Sequence, residues 1–304
     1  MNWEKKGILF KPDSSLFWQH SHAALPTYFH LGGTDYRIYF TSRDKDNRTY
    51  VGFFEFDIND PLKIKNRSIE PVLSPGPWGF FDDHGVQECS VIKAGNGDVY
   101  MYYLGWNPGL KQPLFYTAIG LAISKDGGLT FEKYSPAPIM QRSEFDPWMV
   151  SGGTVMPFEK GYIMYYLSGF SFRFKDGMAE SEYDVKIAHS SDGVNWERKG
   201  MVAFALEKDE TNISRPSIIR EGEKCLAWFP LKKRGMGYRC GFSESSDGLK
   251  WKRISDDVIP VSPTGWDNEA IDKMDVVKYD GRYYMLYNGN SFGKDGIGLA
   301  IGNI

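Results

Sequence analysis

Five short stretches of this chain place ionisable side chains directly before an apolar run, and these are the residues whose types allow chemistry. The second stretch is the most heavily loaded: Asp82, Asp83, His84, Gln87 and Glu88 precede Cys89-Ser90-Val91-Ile92. The first offers His20 and His22, and the third Asp146, Trp148 and Ser151. The fourth offers Asn212 and Arg215, and the fifth Glu269, Asp272 and Lys273. Two chemistries follow from these types. A carboxyl where a polar segment enters an apolar strand has its pKa raised by burial and can serve as a general acid. Glu88 is the first choice for that role and Asp272 for its partner, with Asp83, Asp146 and Glu269 behind them. Arg215, Lys273 and the two histidines would instead hold an anionic group such as phosphate, with Arg43 joining from the rim. An ion pair of Glu88 with Arg215 or Lys273 is the plain structural alternative.

The five stretches share one frame. Seven residues lead from Gln19 to Pro26, from Asp82 to Cys89, from Asp146 to Gly153, from Asp209 to Pro216 and from Asp267 to Met274. The anchors follow one another at 63, 64, 63 and 58 residues. A second register, Tyr39-Phe40, Tyr102-Tyr103, Tyr165-Tyr166, Trp228-Phe229 and Leu286-Tyr287, repeats at 63, 63, 63 and 58. Turns at Gly32-Gly33, Gly95-Asn96-Gly97 and Asp280-Gly281 join the two registers as hairpins. A third apolar run and an Asp-Gly turn, as at Asp192-Gly193 and Asp247-Gly248, follow in several repeats, and those turns fix further hairpins. Each repeat therefore reads as four antiparallel strands, a propeller blade, and repeats need neighbours to bury their faces.

The fold class is thus all-β: a single domain over residues 1–304, a five-bladed β-propeller of four-stranded antiparallel blades. The fifth repeat lacks an outer strand. Asn2-Trp3-Glu4-Lys5-Lys6-Gly7 nearly repeats Asn195-Trp196-Glu197-Arg198-Lys199-Gly200, so the N-terminal strand is expected in the last blade, closing the ring and covering its edges. First strands line the channel of such a ring, so the polar residues of the five stretches are expected to meet at one of its ends.

Composition narrows the partners. A formal charge of -3 gives no basic field for nucleic acid. Three cysteines without a CxxC pair fit a reducing compartment. Neither a signal peptide nor a membrane-length apolar run is visible, so a cytoplasmic, membrane-free protein is expected. Aromatics make up 15% of the chain, with 18 Tyr and 9 Trp, mostly strand packing but suited also to sugar faces. No cofactor motif is found, and a metal at His20 and His22 is disfavoured because no carboxylate sits at ligand spacing.

With the repeats, the Ser-x-Asp-Gly-x-x-Trp turns and the polar frame, the chain resembles the five-bladed glycosidases of glycoside hydrolase families 43, 62, 32 and 68 and the related family 130 phosphorylases. Glu88-Cys89 is similar to the Glu-Cys pair of family 32, whose Glu is the general acid, although here it falls in the second repeat rather than the third. Two departures stand out. No Asp lies near Ala24-Leu25-Pro26, where these families place nucleophile or base, and Ser151-Gly152-Gly153 stands where family 43 has its acid Glu. The resemblance implies an enzyme that cleaves or transfers a glycosyl unit, with one carboxyl kept protonated and one ionised. Its ligand would be a small carbohydrate or sugar phosphate. The alternatives are a phosphorylase or glycosyltransferase acting on an activated sugar, and a glycan-binding propeller without catalysis.

Overall fold

The structure is a computed structural model and describes residues 1–110, 114–175 and 178–303. It is built almost wholly of strands. β1 (Asn2–Phe10) opens the chain, followed by β2 (Ser21–Gly32), β3 (Asp35–Arg43), β4 (Thr49–Asp57) and β5 (Asp60–Arg67). Next come β6 (Gly85–Lys93), β7 (Val99–Pro108), β8 (Phe115–Ser124) and β9 (Glu132–Lys133). β10 (Met149–Phe158), β11 (Gly161–Lys175), β12 (Met178–Ser190), β13 (Glu197–Phe204) and the short β14 (Glu210–Ile213) form the next run. β15 (Ser217–Glu221), β16 (Lys224–Lys233), β17 (Arg239–Ser245) and β18 (Lys252–Ser255) precede β19 (Asp272–Tyr279), β20 (Arg282–Asn288) and β21 (Ile297–Asn303). A 3-10 turn, Asn290–Phe292, lies between the last two strands. Among the described residues no helix is long and apolar enough to cross a membrane.

The chain divides into two compact units, Met1–Val72 with Pro216–Ile304, and Leu73–Arg215. In the first unit β2 to β5 pair in order as an antiparallel meander, as do β15 to β18. β19, β20 and β21 pair in the same way, and β1 adds to β21 as a fourth antiparallel strand. The place anticipated for the N-terminal segment is thus where it lies. In the second unit β6 to β9 and β10 to β13 form two more meanders. The all-β expectation holds, and the pairings follow the sequence repeats. Counted by continuous hydrogen bonding among the described residues, however, the strands make three sheets, of four, eight and nine strands, rather than five separate ones.

Residue type explains which strand lies where in each meander. The second strands β3, β16 and β20 are buried along nearly their whole length, and β7 over its central part. They carry the aromatic register, which therefore packs on both faces of the sheet. The outer strand β5 is mostly exposed and rich in Lys, Arg and Asn, as an edge requires, and β13 alternates exposed with half-buried residues over most of its length. β1 contributes Phe10, which stacks on Phe54 of β4 with ring centroids 4.4 Å apart. The hairpin turns take the left-handed conformation that only glycine adopts without strain, at Gly33, Gly97 and Gly281.

The Ser-x-Asp-Gly turns are self-contained. Ser190 Oγ accepts the Gly193 N–H at 2.8 Å, and Asp192 Oδ1 accepts the Val194 and Asn195 N–H groups, each at 2.8 Å. Ser245 and Asp247 repeat the pattern. These hydrogen bonds hold the Asp192 and Asp247 carboxyls below their ordinary pKa.

Candidate functional site

The acidic frame position splits into two kinds. Asp82, Asp146 and Asp267 are buried and are held alike within their own sheets. Each accepts the hydroxyl of the second-register tyrosine: Tyr103 at 3.1 Å, Tyr166 at 3.2 Å and Tyr287 at 3.0 Å. Each also pairs with a cation from the fourth strand: Lys133 at 2.6 Å, Arg198 at 2.8 Å and Lys5 at 2.8 Å. The aspartate thus ties the segment entering the first strand to the second and fourth strands. In the other two repeats the second register carries Phe40 and Phe229, which have no hydroxyl. There the frame residue is Gln19, or Asp209, which is exposed. Asp146, expected to face a ligand, has its oxygens on Tyr166, Arg198 and Ser143 instead.

Past the aspartate, the first strands share a second feature. Their pairing slips between Ala24 and Thr27, between Glu88 and Ser90, between Ser151 and Gly153, and between Asp272 and Asp275. Such bulges re-aim side chains and are frequent beside active sites. Leu25 and Lys273, at matching places, have φ of 53° and 50°, a costly conformation for residues with a Cβ.

In the first unit Asp272 is 1% exposed. Its Oδ1 accepts the Lys273 N–H at 2.8 Å and lies 3.7 Å from Lys273 Nζ. Its Oδ2 has no hydrogen-bond partner among the described residues. Burial raises its pKa above the ordinary value, opposed by Lys273 and Lys232. Across the ladder from Asp272 stands the fully buried Asn288, which accepts the Leu25 N–H at 2.9 Å and donates to Ala23 O at 2.8 Å. Asn288 therefore joins the Asp272 bulge to the His22–Leu25 backbone. In the sequence its one sign is a polar residue directly after the Leu286-Tyr287 register.

His22 is half-buried, and its pKa falls to about 4, first through burial and then through the charges of Arg43 and Lys294. His20 lies elsewhere, exposed beside Asp44, Lys45 and Asp46. The two histidines do not alternate along one strand, because β2 begins only at Ser21 and His22 has φ of 65°. Glu269 has an exposed side chain and works through its backbone, whose carbonyl accepts from Arg239 at 2.8 Å.

In the second unit Glu88 is fully buried at its bulge. Arg215, 3% exposed, donates to the carbonyl of the next residue, Cys89, at 2.7 Å. Gly152 is required here, since a Cβ would lie 2.2 Å from Cys89 Sγ. Gln87 and Ser151 are half-buried on the same first strands. Asn212 is spent on packing: it donates to Ser181 O at 2.9 Å and accepts from Thr211 at 2.8 Å. Trp148 packs on Phe172 and Phe115 at 4.8 and 6.0 Å, its buried Nε1 without a hydrogen-bond partner among the described residues. Asp83 and His84 pair at 2.7 Å upstream of β6. No group of three His, Cys, Asp or Glu among the described residues is arranged to hold a metal.

Asp184 of β12 is a titrating group the sequence did not single out. Burial lifts its pKa to about 6, opposed by Lys186 and reinforced by Asp146. The native protein then binds more protons than the unfolded chain between about pH 4 and 6, so stability from this residue is full below that window and lost as pH rises through it. Relative to the wild type, Asp184→Asn should gain up to about 3 kcal/mol between pH 4 and 7 by urea unfolding. A difference that does not change with pH would mean Asp184 titrates normally.

No family model matches the sequence. The uncharacterized proteins MT1551 and Rv1502 of Mycobacterium tuberculosis are each 36% identical over 303 residues, covering 99% of this chain and 99% of their own length. A 1,2-beta-oligomannan phosphorylase of Thermoanaerobacter sp. is 27% identical over 150 residues, 49% of this chain and 48% of that protein. Among solved structures, a glycoside hydrolase matches with a TM-score of 0.80 at 21% identity, over 99% of this chain and 91% of that one. A structure from the GH130 family of mannoside phosphorylases, which contains glycoside hydrolases that target β-1,2 mannosidic linkages in Candida mannan, matches at 0.74 and 15%, over 99% and 94%. The β-1,2-mannobiose phosphorylase of Listeria innocua, in complex with β-1,2-mannobiose, matches at 0.70 and 12%, over 100% and 97%. At these identities the structural likeness shows the fold, all-β and propeller-like.

Proposed function

We propose, for a chain that belongs to the same family as the mycobacterial proteins MT1551 and Rv1502, an enzyme that cleaves or transfers a glycosyl unit, built as a divergent five-bladed propeller of the glycosidase type. The 1,2-beta-oligomannan phosphorylase that matches half of the chain supports this class, as do the GH130 and mannobiose phosphorylase folds. The observation that carries the reading is Asp272. It is a buried carboxyl on a bulge, with one oxygen unpartnered among the described residues and its pKa raised by burial. That is the direction a general acid requires.

Asp272 would give its proton to the leaving oxygen as the bond from the anomeric carbon to that oxygen breaks, the electron pair going to the oxygen. Lys273 and Lys232 then face the carboxylate left on Asp272. The new bond to carbon comes from phosphate oxygen or from water, and water gives up a proton that restores the Asp272 carboxyl. Glu88 remains the other candidate acid, and each carboxyl is tested on its own. Phosphate as acceptor is the reading that the charges around His22 favour: Arg43 and Lys294 act on it with Asp295 opposing them, a net positive set that suits an anion.

The test is a thermal-stabilisation screen of glycosides, glycosyl phosphates and nucleotide sugars, followed by product analysis with and without phosphate. One class should raise the melting midpoint and be turned over, and a glycosyl phosphate product would select phosphorolysis. A protein that neither responds to any class nor turns one over is not this enzyme.

A further inference from the structure

In the second unit, residues 77–85 form a turn held from within. The Phe80 N–H donates to Pro77 O at 3.1 Å, the Asp83 N–H to Phe80 O at 3.2 Å and the Gly85 N–H to Asp82 O at 3.2 Å. One Asp83 oxygen accepts the Gly79 N–H at 2.9 Å, and the other lies 2.7 Å from His84 Nδ1. This fixed loop presents Trp78 with 71% of its surface exposed, while the other eight tryptophans are buried or half-buried. The Trp78 ring lies 5.3 Å from the His84 imidazole, and the half-buried Trp106 ring 5.8 Å from it.

A large apolar side chain 71% exposed on a loop held from within needs a reason, and the chemistry around it supplies one. With Nδ1 set 2.7 Å from Asp83 Oδ1, the other ring nitrogen, Nε2, is the one left to meet a ligand. That Nε2 has no partner among the described residues. Asp83 is already engaged by His84 and Gly79. What remains is a flat apolar face beside a single polar atom, the complement of a neutral sugar ring with its C–H face and hydroxyls. The loop is fixed before any ligand arrives, so little ordering cost is left for binding.

We propose that Trp78, His84 and Trp106, with Asp83 orienting the imidazole, form a glycan-binding subsite. Trp78 packs on the C–H face of a neutral sugar residue, and His84 Nε2 hydrogen-bonds one of its hydroxyls. The subsite rests on the carbohydrate-active reading for its ligand class and extends it. His84 lies four residues before Glu88, the other candidate acid, roughly 13 Å along an extended chain, so a ligand that spans both would be an oligosaccharide.

The experiment applies the full-length protein and its Trp78→Ala and Trp78→Phe variants to an array of neutral and anionic glycans, with circular dichroism to confirm folding. The wild type should hold neutral oligosaccharides. Trp78→Ala should weaken them by about tenfold or more, as loss of a central aromatic contact does, and Trp78→Phe should restore most of the binding. His84→Gln should weaken the same glycans. The proposal is overturned if no neutral glycan is held, or if Trp78→Ala binds as the wild type does. Because the readout is binding, failure of the catalytic reading shows separately, as absent turnover with array binding kept.

Discussion

Asp272→Asn should lower turnover of a glycoside with a poor leaving group by about 10²–10⁴-fold, the contribution expected of a general acid. A glycoside with an activated leaving group needs little protonation and should lose far less. The substitution keeps the size of the side chain and the oxygen that accepts the Lys273 N–H, while removing the proton to be given. Stability should not fall with it. A carboxyl whose folded pKa is raised costs free energy when ionised, so its contribution at neutral pH is unfavourable and the neutral amide relieves it. Lost activity together with a preserved or higher unfolding midpoint is the signature of a group kept for function. If both leaving groups react as in the wild type, Asp272 is not the acid. The same pair of substrates applied to Glu88→Gln then decides whether that residue is.

The second large effect is on stability. Asp146→Ala should cost about 3–5 kcal/mol, because it leaves Arg198 and the Tyr166 hydroxyl without their buried counter-group. Tyr166→Phe removes only one hydrogen bond to the carboxylate and should cost about 1.5–3 kcal/mol. Urea unfolding of the two single variants and the double variant measures the coupling. Asp146 is a staple within its repeat if that coupling is substantial. A loss below about 1 kcal/mol for Asp146→Ala, the range of an exposed pair, would show that the contact adds little and would return the residue to the ligand side.

The repeat and much of the secondary structure could be read from the amino-acid order alone. Periodicity and turn chemistry are local: a Ser-x-Asp-Gly turn closes on its own backbone within a few residues, as around Asp192. Even the N-terminal strand was legible, because Asn2-Trp3 repeats Asn195-Trp196 and β1 does pair with β21. What an acidic side chain faces was not legible. Asp82, Asp83 and Asp146 look alike in the chain, yet two are tied to a tyrosine 20 or 21 residues on and to a cation 51 or 52 residues on, while Asp83 turns to His84. Asp272 stands out only because the Asp272–Asp275 bulge and the surrounding burial leave one of its oxygens without a hydrogen-bond partner among the described residues. Trp78 stands out only because its loop is fastened to itself with the indole outside. Strand pairing is specified by pattern over many residues, whereas the partner of one polar atom depends on where distant segments cross, and that crossing exists only in the folded chain.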